Sequence, residues 1–187
     1  MLKRTTPYVI QGHNGVLVGR EVGREVQARI VHCLEQLPCY SVLPLDFSQV
    51  KAINFSFADE AVVKVVRRTV GGDLQGRYII LQNVGEGPQE DIIAALKARQ
   101  TVCVLEHPDG SKEVLGELSP ELRETYACAV RLGKITAREL IDRKEKELGI
   151  AASSNRLARM RDMGLLVAVE AEAAPRRGRQ NVFHPVG

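Results

Sequence analysis

Tryptophan is absent from the 187 residues, and the other aromatics are scarce, with four Tyr and four Phe. No apolar run approaches the roughly 20 residues needed to cross a bilayer. The opening MLKRTTPYVI lacks the apolar core of a signal segment. These two absences predict a soluble, cytoplasmic protein. Cys33, Cys39, Cys103 and Cys128 contain no C-x-x-C pair and read as buried free thiols. His32 and Cys33 with Cys39 have poor spacing for a metal site. There is no Walker loop, no G-x-S-x-G and no H-E-x-x-H. The stretch GEGPQED, residues 85–91, lacks the further glycine and the lysine of a phosphate loop, and its acids would repel phosphate. It reads as a strand-to-helix turn. The expectation is a protein with no catalytic residues, metal or cofactor.

What is present is unevenly charged. The net charge is +3, but from residue 133 onward eleven Lys/Arg face seven Asp/Glu, so the front part is slightly negative. After Leu148 every basic residue is an arginine: Arg156, Arg159, Arg161, Arg176, Arg177 and Arg179. Only Asp162, Glu170 and Glu172 oppose them. A local basic surface on a near-neutral chain is the footprint of an end that binds a polyanion.

The front part alternates strand and helix signals. YVIQG and GVLVG are expected as short strands around a turn at residues 12–15. GREVGREVQARIVHCLEQL follows, with Val22, Val26, Ile30, Val31 and Leu34 at helical spacing. Its repeated GREV is too short to be an architectural repeat. YSVLPLDFS and RYIILQN are apolar runs of the kind that form buried strands. SFADEAVVKVVRRTV and PQEDIIAALKARQ carry helical periods between them. TVCVLEHPDGSKEVLGEL predicts a hairpin turning at residues 108–110. Such alternation predicts an α/β layer with a mixed sheet packed by helices.

The character changes near Leu118, which places a domain of residues 1–118 before a smaller α+β domain of residues 119–187. Ser119 and Pro120 open one expected helix, and Gly133 stops it. Thr136 and Glu139 form a capping box at the next. AASSNRLARMRDMG is the third, and GLLVAVEAEA with NVFHPVG are two strands around APRRGRQ. Three short helices and a hairpin are the plan of a winged helix-turn-helix.

The segment ITARELIDRKEKELGIAASSNRLARMRDMGLL, with RRGRQNVFHP after it, resembles the bacterial winged helix-turn-helix regulators. The resemblance implies double-stranded DNA as the partner, with the third helix in the major groove. Ser153, Ser154, Arg156 and Arg159 are the expected groove residues, and Arg176, Arg177 and Arg179 the expected wing tip on phosphate or minor groove. A palindromic site would need two copies, so a homodimer is expected.

LDFSQVKAINFSFADE, residues 45–60, is similar to the STAS-like domains of bacterial regulators, relatives of the anti-sigma-factor antagonists. The similarity covers residues 15–100 and implies protein contact or signalling. Asp46, Ser48, Ser56, Asp59 and Glu60 are the expected partner-binding or regulatory residues. For Ser56, Asp59 and Glu60 the plainer reading is helix capping, since acids in a first turn suit the helix dipole. Antagonists carry D-S-S/T-G here, whereas this chain reads N-F-S-F: Asn54 replaces the aspartate and Phe55 the phosphoserine, with Ser56 one place later. Three functions follow. One is a transcription regulator with a sensing domain and a DNA-binding wing. The second is a protein-interaction adaptor in a partner-switching pathway, its winged helix docking protein. A phosphotransfer substrate without DNA activity is the third.

Overall fold

The computed structural model describes residues 2–144, 149–170 and 181–187. The chain is a mixed α/β protein that divides into two compact units, Lys3–Glu117 and Leu118–Val186. No helix among the described residues is long and apolar enough to cross a membrane.

The first unit runs β1 (Lys3–Arg4), β2 (Tyr8–Val9), β3 (Val16–Leu17), α1 (Arg20–Glu35), β4 (Ser41–Asp46) and β5 (Ala52–Ile53). It continues with α2 (Phe55–Ala58), a π-helical turn (Asp59–Val63), α3 (Lys64–Gly71), β6 (Arg77–Gln82), α4 (Glu86–Ala98), β7 (Val102–Glu106) and β8 (Lys112–Gly116). The main sheet has the order β1-β4-β6-β7-β8, with β2 also on β4. All its pairings are parallel except the closing β7–β8 hairpin. Helical crossovers are what parallel neighbours require, and α2–α3 and α4 supply them. β4 buries every residue from Ser41 to Leu45, as the apolar run predicts.

The two short strands expected around the turn at residues 12–15 are present as β2 and β3, with the turn His13–Gly15 between them. β2 and β3 do not pair with each other: β2 lies parallel on β4, and β3 lies parallel on β5. The unpaired backbone edge of β4 takes up β1 and β2 as one interrupted strand, since buried N–H and C=O groups must find partners. β5 is only two residues long, too short for periodicity to reveal.

Helix α1 buries Val26, Ile30, Val31 and Leu34, as the spacing predicts. It also buries Gly23. A methyl group built there would lie 2.7 Å from Glu60 Cβ and 3.4 Å from Phe57 Cα. The missing side chain at Gly23 is what lets the two helical segments touch.

The second unit runs α5 (Pro120–Leu132), α6 (Ala137–Lys144), α7 (Ile150–Asp162), β9 (Leu166–Glu170) and β10 (Asn181–Pro185). Gly133 ends α5 in the left-handed region at φ 70°. Ser119 stands at the cap position, but its hydroxyl makes no bond to the helix backbone. It bonds the Glu121 carboxylate instead, which lies below its ordinary pKa for that reason first and through Arg156 last. β9 and β10 pair antiparallel, Glu170 opposite Asn181 through Leu166 opposite Pro185. Ile135, between α5 and α6, adds a bridge to the hairpin: its N–H donates to Phe183 O at 2.8 Å, and Phe183 N–H returns the bond at 2.9 Å. Leu122, Ile135, Leu140, Leu157, Met160 and Phe183 are buried in this unit.

The thiol expectation holds for two cysteines. Cys103 and Cys128 are buried, and burial pushes the Cys103 thiol up to about 12. Cys39 is exposed and Cys33 half-buried, contrary to the expectation. Cys39 follows Pro38 after the end of α1.

Candidate nucleic-acid and partner surfaces

Helix α6 begins with the reciprocal cap that its sequence predicts. Glu139 N–H donates to Thr136 Oγ1 at 3.2 Å, and Thr136 N–H donates to Glu139 Oε2 at 2.9 Å. The Thr136 hydroxyl donates to the same carboxylate at 3.0 Å. Two of the four orphan donors of a helix start are addressed this way. Helix α7 starts after Gly149, without a side-chain cap.

The two faces of α7 differ sharply. Ser153, Leu157 and Met160 are all fully buried. Residues Ala151, Asn155 and Arg159, spaced four apart, form the exposed stripe on the other side. Ser154 is exposed beside them. Arg156 is half-buried, and its charge acts on Glu121 at the start of α5. Arg161 is exposed and pairs with Asp162 at 2.7 Å.

Of the expected groove residues, Ser153 must be corrected. It is 0% exposed, and its hydroxyl has no hydrogen-bond partner among the described residues. Its phase puts it with Leu157 and Met160, and its small size suits a buried helix position. Ser154 and Arg159 lie on solvent-facing positions, whereas Arg156 is half-buried. Arg176, Arg177 and Arg179 lie outside the described residues, between the paired ends of β9 and β10.

The expected partner residues of the first unit fall into two groups. Asp46 ends β4, and its Oδ1 accepts from Ser48 N–H at 2.9 Å and from Asn83 Nδ2 at 2.8 Å. Burial pushes this carboxyl up, but the bonds from Asn83 and Ser48 outweigh it and leave Asp46 below its ordinary value. Ser48 is exposed at this turn.

Ser56 lies in the first turn of α2, yet it is not the cap. Asn54 is: its Oδ1 accepts from Phe57 N–H at 3.0 Å and from Gly19 N–H at 3.1 Å, tying α2 to the start of α1.

Asp59 and Glu60 are not first-turn capping acids. Both stand in the π-helical turn with side chains only 3% exposed. Arg99, just past α4, donates to both Asp59 oxygens at 2.8 Å. That forked bond, opposed by burial, holds Asp59 below its ordinary pKa. Glu60 receives Lys64 Nζ at 2.7 Å, with Arg24 of α1 at 3.8 Å. Partner contact through these two carboxylates would first require opening the ion pairs.

Sequence reasoning passed over three residues. Asn54 had the signature of a cap residue before an apolar run, and Asn155 stands four places from Ala151 and Arg159 on the exposed stripe. Arg99 carries no signal, because its partner Asp59 lies forty residues away. Near α2, Val16, Val18 and Phe55 are 46%, 49% and 40% exposed. Val16 stands opposite Ala52 in the β3–β5 pair.

No protein-family model, no curated protein and no solved structure matches this chain.

Proposed function

We propose that the chain is a DNA-binding transcription regulator. The Leu118–Val186 unit is its winged helix-turn-helix, and the Lys3–Glu117 unit, of STAS-like kind, receives a signal or a partner. One observation carries the reading. A capped α6 is followed by an α7 whose inner face is buried and whose outer face exposes Asn155 and Arg159, neither with a side-chain partner among the described residues. The order of three helices and an antiparallel hairpin, with Ile135 bridged to that hairpin, agrees with it. In this reading α7 enters the major groove, and Arg176, Arg177 and Arg179, outside the described residues, contact the phosphate backbone. A homodimer presents two such helices to two half-sites.

The test is selection of bound fragments from random duplex DNA by the full chain at about 150 mM salt, where non-specific binding is already weakened. A sharp motif supports the regulator. Binding that is weak and indifferent to sequence refutes it. A second reading, a protein-interaction adaptor, is favoured by exposed Val16, Val18 and Phe55, since scattered apolar residues are ordinary but several on one small ribbon and the helix beside it suit a docking face. Retention of a protein partner without any DNA motif would place it ahead.

A further inference from the structure

We infer that Asn155 is the residue that reads a base, and that the base is adenine in the major groove, with Ala151 lying against a thymine methyl. The inference rests on the DNA-binding reading above and sharpens it to one contact.

The argument starts from the phase of α7. Ser153, Leu157 and Met160 fix its buried side. At 100° per residue, Asn155 lies close to the centre of the opposite side, between Ala151 and Arg159. A short side chain contacts a base edge only from that central line, where the helix comes nearest the floor of the groove. Ser154 and Arg156 lie off it, and Arg156 is half-buried.

The chemistry then selects the base. The Asn155 amide is exposed and has no hydrogen-bond partner among the described residues. It offers an N–H donor beside a carbonyl acceptor. Adenine presents the complementary pair, the N7 acceptor beside the N6 donor. Guanine presents two acceptors, N7 and O6, and would leave the amide carbonyl facing an oxygen. Ala151 lies one turn earlier on the same line, and its methyl is the right size for the thymine C5-methyl. Ala152 beside it adds no bulk to hold the helix away.

The window is bounded. From Ala151 to Arg159 the helix rises about 12 Å, equal to three or four base pairs. Past it, Asp162 returns to the same line. Its charge disfavours phosphate there, and Arg161 holds it at 2.7 Å. Arg159 therefore ends the stripe, placed for a neighbouring guanine or phosphate.

The experiment uses the full chain and two variants, Asn155→Ala and Asn155→Ser, each checked by a melting curve. Each protein selects from the same random duplex pool, and affinities for the wild-type site are read by fluorescence anisotropy. The wild type should select a site with an A·T pair whose exchange for G·C weakens binding about 5- to 150-fold. Replacing that adenine by 7-deaza-adenine, which removes the N7 acceptor, should weaken the wild type by a similar factor and leave both variants unchanged. A wild-type motif that both variants select unaltered, or 7-deaza-adenine tolerated at every adenine, overturns the assignment to Asn155 while the regulator stands. If the wild type selects no motif, the regulator reading fails and this inference falls with it.

Discussion

Replacing Gly23 by alanine should destabilise the Lys3–Glu117 unit, although alanine is the better helix former. Gly23 lies inside α1 and is buried. In an open helical position the exchange would stabilise by about 0.8–1 kcal/mol, through helix propensity. Here the added methyl would lie 2.7 Å from Glu60 Cβ and 3.4 Å from Phe57 Cα and its carbonyl oxygen. The first contact is far inside van der Waals distance, and it meets a carbon fixed to the backbone rather than the free end of a side chain. Overpacking of this kind costs about 1–3 kcal/mol, so the net loss is roughly 0–2 kcal/mol. It falls at the upper end if the displaced Glu60 loosens from Lys64, now at 2.7 Å. The control is Gly71→Ala at the end of α3, where a methyl would meet nothing within 4 Å and φ is not positive. That exchange should stabilise by about 0.4–1 kcal/mol. Urea unfolding of both variants, with helicity checked by circular dichroism, gives the comparison. A Gly23→Ala protein as stable as Gly71→Ala would refute the close approach of α1 to the π-helical turn.

Ser153→Ala should leave DNA binding intact and raise stability by up to about 1–2 kcal/mol, because it removes a buried hydroxyl without a partner; impaired binding in a protein that melts normally would return Ser153 to the groove. Arg99→Gln should lower stability at pH 7, where Asp59 is ionised and paired. Since the pKa of Asp59 is depressed in the folded state, that stabilisation is present above its ordinary value near pH 4 and is lost as pH falls through the folded value. The gap in urea midpoint between wild type and variant should therefore narrow from pH 7 to about pH 3, and an equal gap at both would show that the pair is not the cause. Changing Arg176, Arg177 and Arg179 together to Ala should flatten the slope of log affinity against log salt by roughly 1–3 units and weaken binding to all sequences alike. Unchanged slope and affinity in a folded protein would make them a solvated turn.

Local signals were legible wherever chain neighbours make the interaction. The Thr136–Glu139 box, the stop at Gly133 and the buried stripe of α1 each depend on residues three to four places apart, and each is present. Apolar runs marked β4 and β6 for the same reason. The surface of α7 was legible only in part. Its period separates an apolar face from a polar one, but Ser153 is polar by type and buried by phase, so residue chemistry and helical geometry disagreed there. Asn155 and Asn54 could have been found by giving phase and capping position more weight than charge.

The parts that failed were those in which distant residues decide. Asp59 and Glu60 look like first-turn acids until the chain turns through the π segment and brings them to Arg99 from beyond α4 and Arg24 from α1. Nothing within the stretch 54–60 encodes those partners. β5 exists because β3 lies beside it, two residues against two, and no periodicity can be read in so short a run. The amino-acid order by itself determined helices, caps and apolar strands, since propensity and periodicity act over one or two turns. Which strands became neighbours and which carboxylates were buried in ion pairs were decided by tertiary packing. Burial and pairing depend on what arrives from elsewhere in the chain, and that is set only when the whole core closes.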